Sequence, residues 1–179
     1  RLTLLQLIPT LLVFPYVQLM PLMAKNYLHV GALGYGWLQT GVGIGSLLSA
    51  LMVAYFSRIP KKGAIASVAL AIYMAMILAF SFSRNYLLSL GFLILGGMAL
   101  VIFSSFNQTL LQLHVDDEHR GKVLAFYSLV MGLSPFGSLA MGYFASHLIN
   151  TPHTIASFSV VALALALMSG IASKEMRNI

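Results

Sequence analysis

KVLAFYSLVMGLSPFGSLAMGYFASHLINTPHTIASFSVVALALALMSGIASK, residues 122–174, begins and ends on lysine and holds no Asp, Glu, Lys or Arg in between. A helix that crosses a bilayer needs about 20 mostly apolar residues, and this stretch is about twice that long. One crossing cannot account for it; a hairpin of two helices does. The turn is legible in HLINTPH, where Asn150 and Pro152 interrupt the apolar pattern.

Working outward, the same texture fills the chain. Of 179 residues 59% are apolar and only 8% are charged, where a soluble domain carries about 25% charge. No soluble packing covers so much apolar surface, so the class is an integral all-α membrane protein. Six segments are long and apolar enough to span: 3–24, 35–57, 63–82, 86–113, 123–147 and 154–173. SRIPKK at 57–62 and Arg84–Asn85 mark two further turns. The formal charge of +6 does not indicate nucleic acid, because the cations stop apolar runs instead of forming a basic face. Without Cys there is no disulfide framework and no thiolate metal site. The chain opens on Arg1 and enters an apolar run at once, with no signal-peptide pattern; the expectation is a fragment of a longer chain.

Lys and Arg are retained on the cytoplasmic side of membrane proteins. With six crossings, one set of ends carries Arg1, Arg58, Lys61, Lys62, Arg120, Lys122, Lys174 and Arg177, and the other only Lys25 and Arg84. Both ends of this segment are therefore expected in the cytoplasm. So is VDDEHRGKV, 115–123, which holds Asp116, Asp117 and Glu118, three of the four acidic residues. It reads as a solvated connection whose acids favour the start of the fifth helix, not as a catalytic carboxylate cluster, since no nucleophile pattern accompanies it.

Inside the spans the informative residues are small, kinking or amide-bearing. Gly41, Gly45 and Ser49 in span two, Ser134, Ser138 and Gly142 in span five, and Ala162, Ala166 and Gly170 in span six recur at the spacing that lets membrane helices approach closely. Pro9, Pro15 and Pro21 predict a bent first helix whose freed carbonyls need other partners. Ser104, Asn107, Gln108 and Gln112 make span four the most polar. Amides facing lipid are costly, so this face should meet protein or a wet cavity. Gln18, Gln39, Tyr16, Tyr127 and Ser128 are weaker candidates of the same kind. No Asp, Glu, Lys or Arg lies deep in a span, which leaves no proton-carrying carboxylate in this segment. The five His lie near span ends without metal-ligand spacing, and ALGYG at 32–36 lacks the Thr-Val and the pore helix of a potassium filter.

NQTLLQLHVDDEHRGKVLAFYSLVMGLSPFGSLAMG, 107–142, resembles the C-terminal half of major facilitator superfamily transporters, most of all the branch like the enterobactin exporter. Asp117, Glu118, Arg120, Gly121 and Val123 fit that branch's loop, while Asp116 stands where it usually has Pro. YFSRIPKKG, 55–63, falls where the family has a basic loop between helices. Arg58, Lys61 and Lys62 match its cations; Ser57 and Pro60 replace its Asp and Gly. The resemblance implies twelve helices in two six-helix halves, each a 3+3 inverted repeat, with residues 1–179 forming helices seven to twelve as a single six-helix bundle. Spans one and four would then line the central cavity, and the plain Ala/Leu/Met spans three and six would face lipid.

The resemblance implies a secondary transporter of the inner membrane moving a small, drug-like or siderophore-like solute by alternating access, and its exporter-like branch alone implies the direction, export. Gln18, Gln39, Asn107, Gln108 and Tyr127 are the expected cavity contacts. Arg58, Lys61, Lys62, Asp117, Glu118 and Arg120 are the expected cytoplasmic gate. The expected partners are a small-molecule substrate, the lipid bilayer and the N-terminal six-helix half; no cofactor, metal, nucleic acid or enzymatic step is expected. Two rival readings are a non-transporting membrane scaffold and a half-size transporter that forms a homodimer.

Overall fold

In the computed structural model, residues 6–55, 62–113, 117–147 and 150–172 are described, and they are all helix and turn. The helices are α1 (Gln6–Asn26), α2 (Ala32–Tyr55), α3 (Lys62–Phe82), α4 (Tyr86–Leu113), α5 (Asp117–Gly132), α6 (Ser134–His147) and α7 (Thr151–Ala172). Five stretches are long and apolar enough to cross a membrane: α1, α2, α3, Tyr86–Leu111 of α4, and Ala125–His147, which joins α5 to α6. α7 is apolar too, over Thr151–Ala166. The chain is thus a multi-pass, all-helical membrane protein. The expected turn SRIPKK lies mostly outside the described residues.

The helix ends follow local chemistry. Asn85 accepts hydrogen bonds at Oδ1 from the backbone N–H of Leu87 (2.9 Å) and Leu88 (3.3 Å), which satisfies two otherwise orphaned donors at the start of α4. α7 starts at Thr151 with Pro152 in its first turn, where a missing N–H costs nothing. α5 begins at Asp117, several residues before the expected start at 123, so the acidic run enters a helix N-terminus, where the dipole favours negative charge.

Three turns gather at one end of the bundle. The Arg84 guanidinium lies 4.8 Å from the centre of the Tyr27 ring, which ties the α3–α4 turn to the α1–α2 turn. Phe82 meets His153 edge to face at 6.2 Å, bringing in the start of α7. The Tyr86 hydroxyl donates to the Gly34 carbonyl at 3.2 Å. The two isolated cations, Lys25 and Arg84, therefore share this end, and Lys62, at the far end of the α3 helix, lies at the other.

α2 and α4 start from the same end and run in the same direction, in backbone contact. A Cβ on Gly45 would collide with the Ile94 carbonyl, and one on Gly97 with the Val42 carbonyl; glycine at both positions allows the approach. The buried residues of α2 are Leu38, Gly41, Gly45 and Ser49, the small-residue stripe seen in the sequence. In α6 the close contact falls on Gly137 instead, while Ser134, Ser138 and Gly142 are half-buried. Ala162 and Ala166 of α7 are buried as expected.

α3 is where the fold departs most from the plain lipid-facing helix expected for span three. It packs between α4 and α7 and buries Ala66, Leu70, Tyr73, Met74, Ile77 and Phe80. Its uniform apolar composition hid this, because a helix that is apolar all round suits lipid and protein equally well.

Candidate functional site

α1 is built around its prolines. Pro9–Val13 form a π-helical segment closed by the Phe14 N–H donating to the Pro9 carbonyl at 2.7 Å, and the helix resumes after a turn at Phe14–Pro15. Pro15 has no N–H to offer the Leu11 carbonyl four residues earlier. That carbonyl lies against Gly137 of α6, where a Cβ would strike both Leu11 O and the Pro15 ring. The proline and the glycine thus form one joint: the first frees a carbonyl, the second lets a neighbouring backbone cover it.

Beside this joint, α1 and α4 share a buried amide pair. The Asn107 Nδ2 donates to Gln6 Oε1 at 3.1 Å, across 101 positions of chain, and both residues are at most 3% exposed. Thr10 sits next to the pair, its hydroxyl donating to the Gln6 carbonyl at 2.8 Å. One residue further along α4, about 100° round the helix, Gln108 is exposed, and its Nε2 donates to the Tyr127 hydroxyl of α5 at 3.1 Å. Adjacent amides on α4 therefore meet different surroundings: Asn107 holds α1, and Gln108 reaches α5 at the open side of the bundle.

Gln39 of α2 is half-buried, and its Nε2 donates to the Tyr35 hydroxyl one turn earlier at 3.1 Å. Gln18 is exposed on α1, and Tyr127 and Lys62 are half-buried. Arg58 and Lys61 lie outside the described residues. Asp117, Glu118 and Arg120 fall in the first turn of α5, with side chains outside the described set. The structure thus brings together Gln108 with Tyr127, and Gln39 with a residue not anticipated, Tyr35. Gln6 was likewise not anticipated. A glutamine in an apolar first span was the available signal; its partner, a hundred residues on, was not. Tyr73 is a further surprise, its hydroxyl buried without a hydrogen-bond partner, as is that of Ser49.

α5 ends at Gly132 and α6 begins at Ser134, because Pro135 cannot continue the backbone ladder. Leu133 bridges the break, donating to the Val130 carbonyl (3.1 Å) and accepting from Phe136 N–H (3.0 Å). This interruption orients Tyr127 and α5 separately from α6, whose Gly137 is fixed against α1. The site offers neutral donors and acceptors in apolar walls. Among the described residues no three His, Asp or Glu side chains are placed to hold a metal ion.

The molecule is thus a bundle of membrane-length helices, broken at prolines and carrying amide–phenol pairs. The sequence pattern of the transmembrane secretion effector family, MFS_3, matches residues 10–178, and the chain belongs to this family of major facilitator type. Comparison with curated proteins and with solved structures found no match.

Proposed function

We propose that the chain is part of a secondary transporter that exports a small, uncharged or amphipathic solute by alternating access. Family membership over residues 10–178 carries this reading. The hydrogen-bonded Gln108–Tyr127 pair supports it, since polar side chains on the open side of an apolar bundle are costly unless they meet water or solute. Gln18, Gln39, Asn107, Gln108 and Tyr127 are the cavity residues of the proposal. Gln108 and Tyr127 contact solute directly, and Asn107, enclosed and bonded to Gln6, holds α4 against α1 behind them. Arg58, Lys61, Lys62, Asp117, Glu118 and Arg120 form the cytoplasmic gate, exchanging ion pairs as the halves rock.

The proposal includes six crossings in a 3+3 repeat, α5 and α6 together making the fifth and α7 the sixth. The gathering of the Tyr27, Arg84 and His153 turns at one end favours it. The excess of cations at the other end orients that end to the cytoplasm of the inner membrane. The broad apolar faces left exposed on α2 (Trp37, Leu47, Leu51) and α5–α6 (Leu129, Phe136, Leu139) suit lipid and an N-terminal half of the same transporter.

The test is cellular efflux. Cells expressing the intact protein are loaded with a panel of fluorescent amphipathic dyes, and retention is compared with that of cells expressing Gln108→Leu. Lower retention of at least one dye, reversed by at least fivefold in the variant, is the expected result. Equal retention of every dye with and without the protein contradicts export.

A further inference from the structure

α3 and α4 do not close on each other along their full length. An open groove of about 480 Å³ runs between them, walled by Ile65, Val68, Ile72 and Met76 on one side and Leu95 and Ile102 on the other, with almost no polar surface. On α3 it extends from Ala64 to Met76, which at ~1.5 Å per residue is about 18 Å. Half of a ~30 Å hydrocarbon core is ~15 Å, so the groove is about as long as one leaflet.

The groove is open to the surface and apolar along its length, which suits an extended hydrocarbon chain. One end of the groove reaches the first turn of α3. Lys62, Ile65, Ala69, Ile72 and Met76 succeed one another at three- and four-residue steps, so Lys62 continues the groove's own stripe towards the aqueous end. No acidic residue occurs anywhere in 62–113, so the groove walls themselves are free of carboxylates; the acids nearest in sequence, Asp117 and Glu118, belong to the proposed gate. In the sequence Lys61 adds a second cation beside it.

We propose that the α3–α4 groove is a phospholipid site. One acyl chain lies between the helices, and Lys62 meets the phosphate of an anionic headgroup in the leaflet on its side, cytoplasmic in the orientation proposed above. The leaflet assignment rests on the orientation proposed above and Lys62 also belongs to the proposed gate, so the test reads lipid binding alone: loss of efflux in Gln108→Leu bears on transport, and loss of lipid selectivity bears on the groove.

Native mass spectrometry of the full-length protein, released from detergent with equal amounts of dioleoyl phosphatidylglycerol and dioleoyl phosphatidylcholine, tests it. The anionic lipid should be retained about fivefold over the zwitterionic one, the effect of one lysine at an anionic surface. Lys62→Gln should bring that ratio close to one. Val68→Trp, on the exposed groove wall, should lower binding of both lipids. Selectivity that survives Lys62→Gln, or binding of both lipids unchanged by Val68→Trp in a protein that elutes as a single species, overturns the proposal.

Discussion

Asn107 and Gln108 are neighbours in sequence and opposites in role. The side chain of Asn107 is enclosed and bonded to Gln6, and removing either amide leaves the other buried without a partner. Interhelical hydrogen bonds in membranes are worth roughly 0.6–2 kcal/mol. Asn107→Leu should therefore lower the thermal midpoint in detergent by a few degrees, and the double variant Gln6→Leu/Asn107→Leu should recover part of that loss, because no orphaned amide remains. A double variant that loses as much as the two single losses combined would deny the coupling. Gln108→Leu, by contrast, removes an exposed amide and should change the thermal midpoint little while altering transport. The sequence marked both residues as amides needing company. It could not say which one was enclosed, since that depends on where α1 lies, and nothing local to Asn107 encodes Gln6.

At the scale of elements, glycines and prolines position the helices, and they were the most legible part of the design. The stripe Gly41, Gly45, Ser49 is the buried face of α2, and Pro135 ends α5 where a helix interior cannot hold a proline. Gly97→Val forces a branched side chain against the Val42 carbonyl and should cost about 1–3 kcal/mol through overpacking, read as a drop in thermal midpoint. Gly43→Ala on the same helix, where a Cβ meets nothing within 4 Å, should be neutral. Equal effects of the two would contradict the close α2–α4 contact. Gly137→Leu should likewise separate α6 from the Pro15 turn. What stayed hidden was the packing of α3. Its apolar residues go all the way round, so no period in them distinguishes the side against α4 and α7 from the side that faces lipid.

At the scale of the whole molecule, the account joins an orientation, a cavity and a family. Composition was enough to establish a membrane bundle, since 59% apolar residues admit no soluble fold. At the level of the major facilitator superfamily, the resemblance agreed with the match over residues 10–178. The orientation rests on cations alone, and the absence of native Cys makes it easy to check. A single cysteine at Asn85 should react with an impermeant maleimide from outside the cell. One at Lys122 should react only after the inner face is opened, and the reverse pattern would invert the topology.

The central claim is that Gln108 and Tyr127 face a water-accessible solute path and not lipid. Maleimide reactivity of Gln108→Cys, measured in native membranes beside Leu95→Cys, tests it most directly. Leu95 is half exposed on the same helix, at the apolar groove. The account predicts that a water-soluble maleimide labels Gln108→Cys readily and Leu95→Cys at least tenfold more slowly. Equal, slow labelling of both would place Gln108 in lipid and remove the cavity from the account.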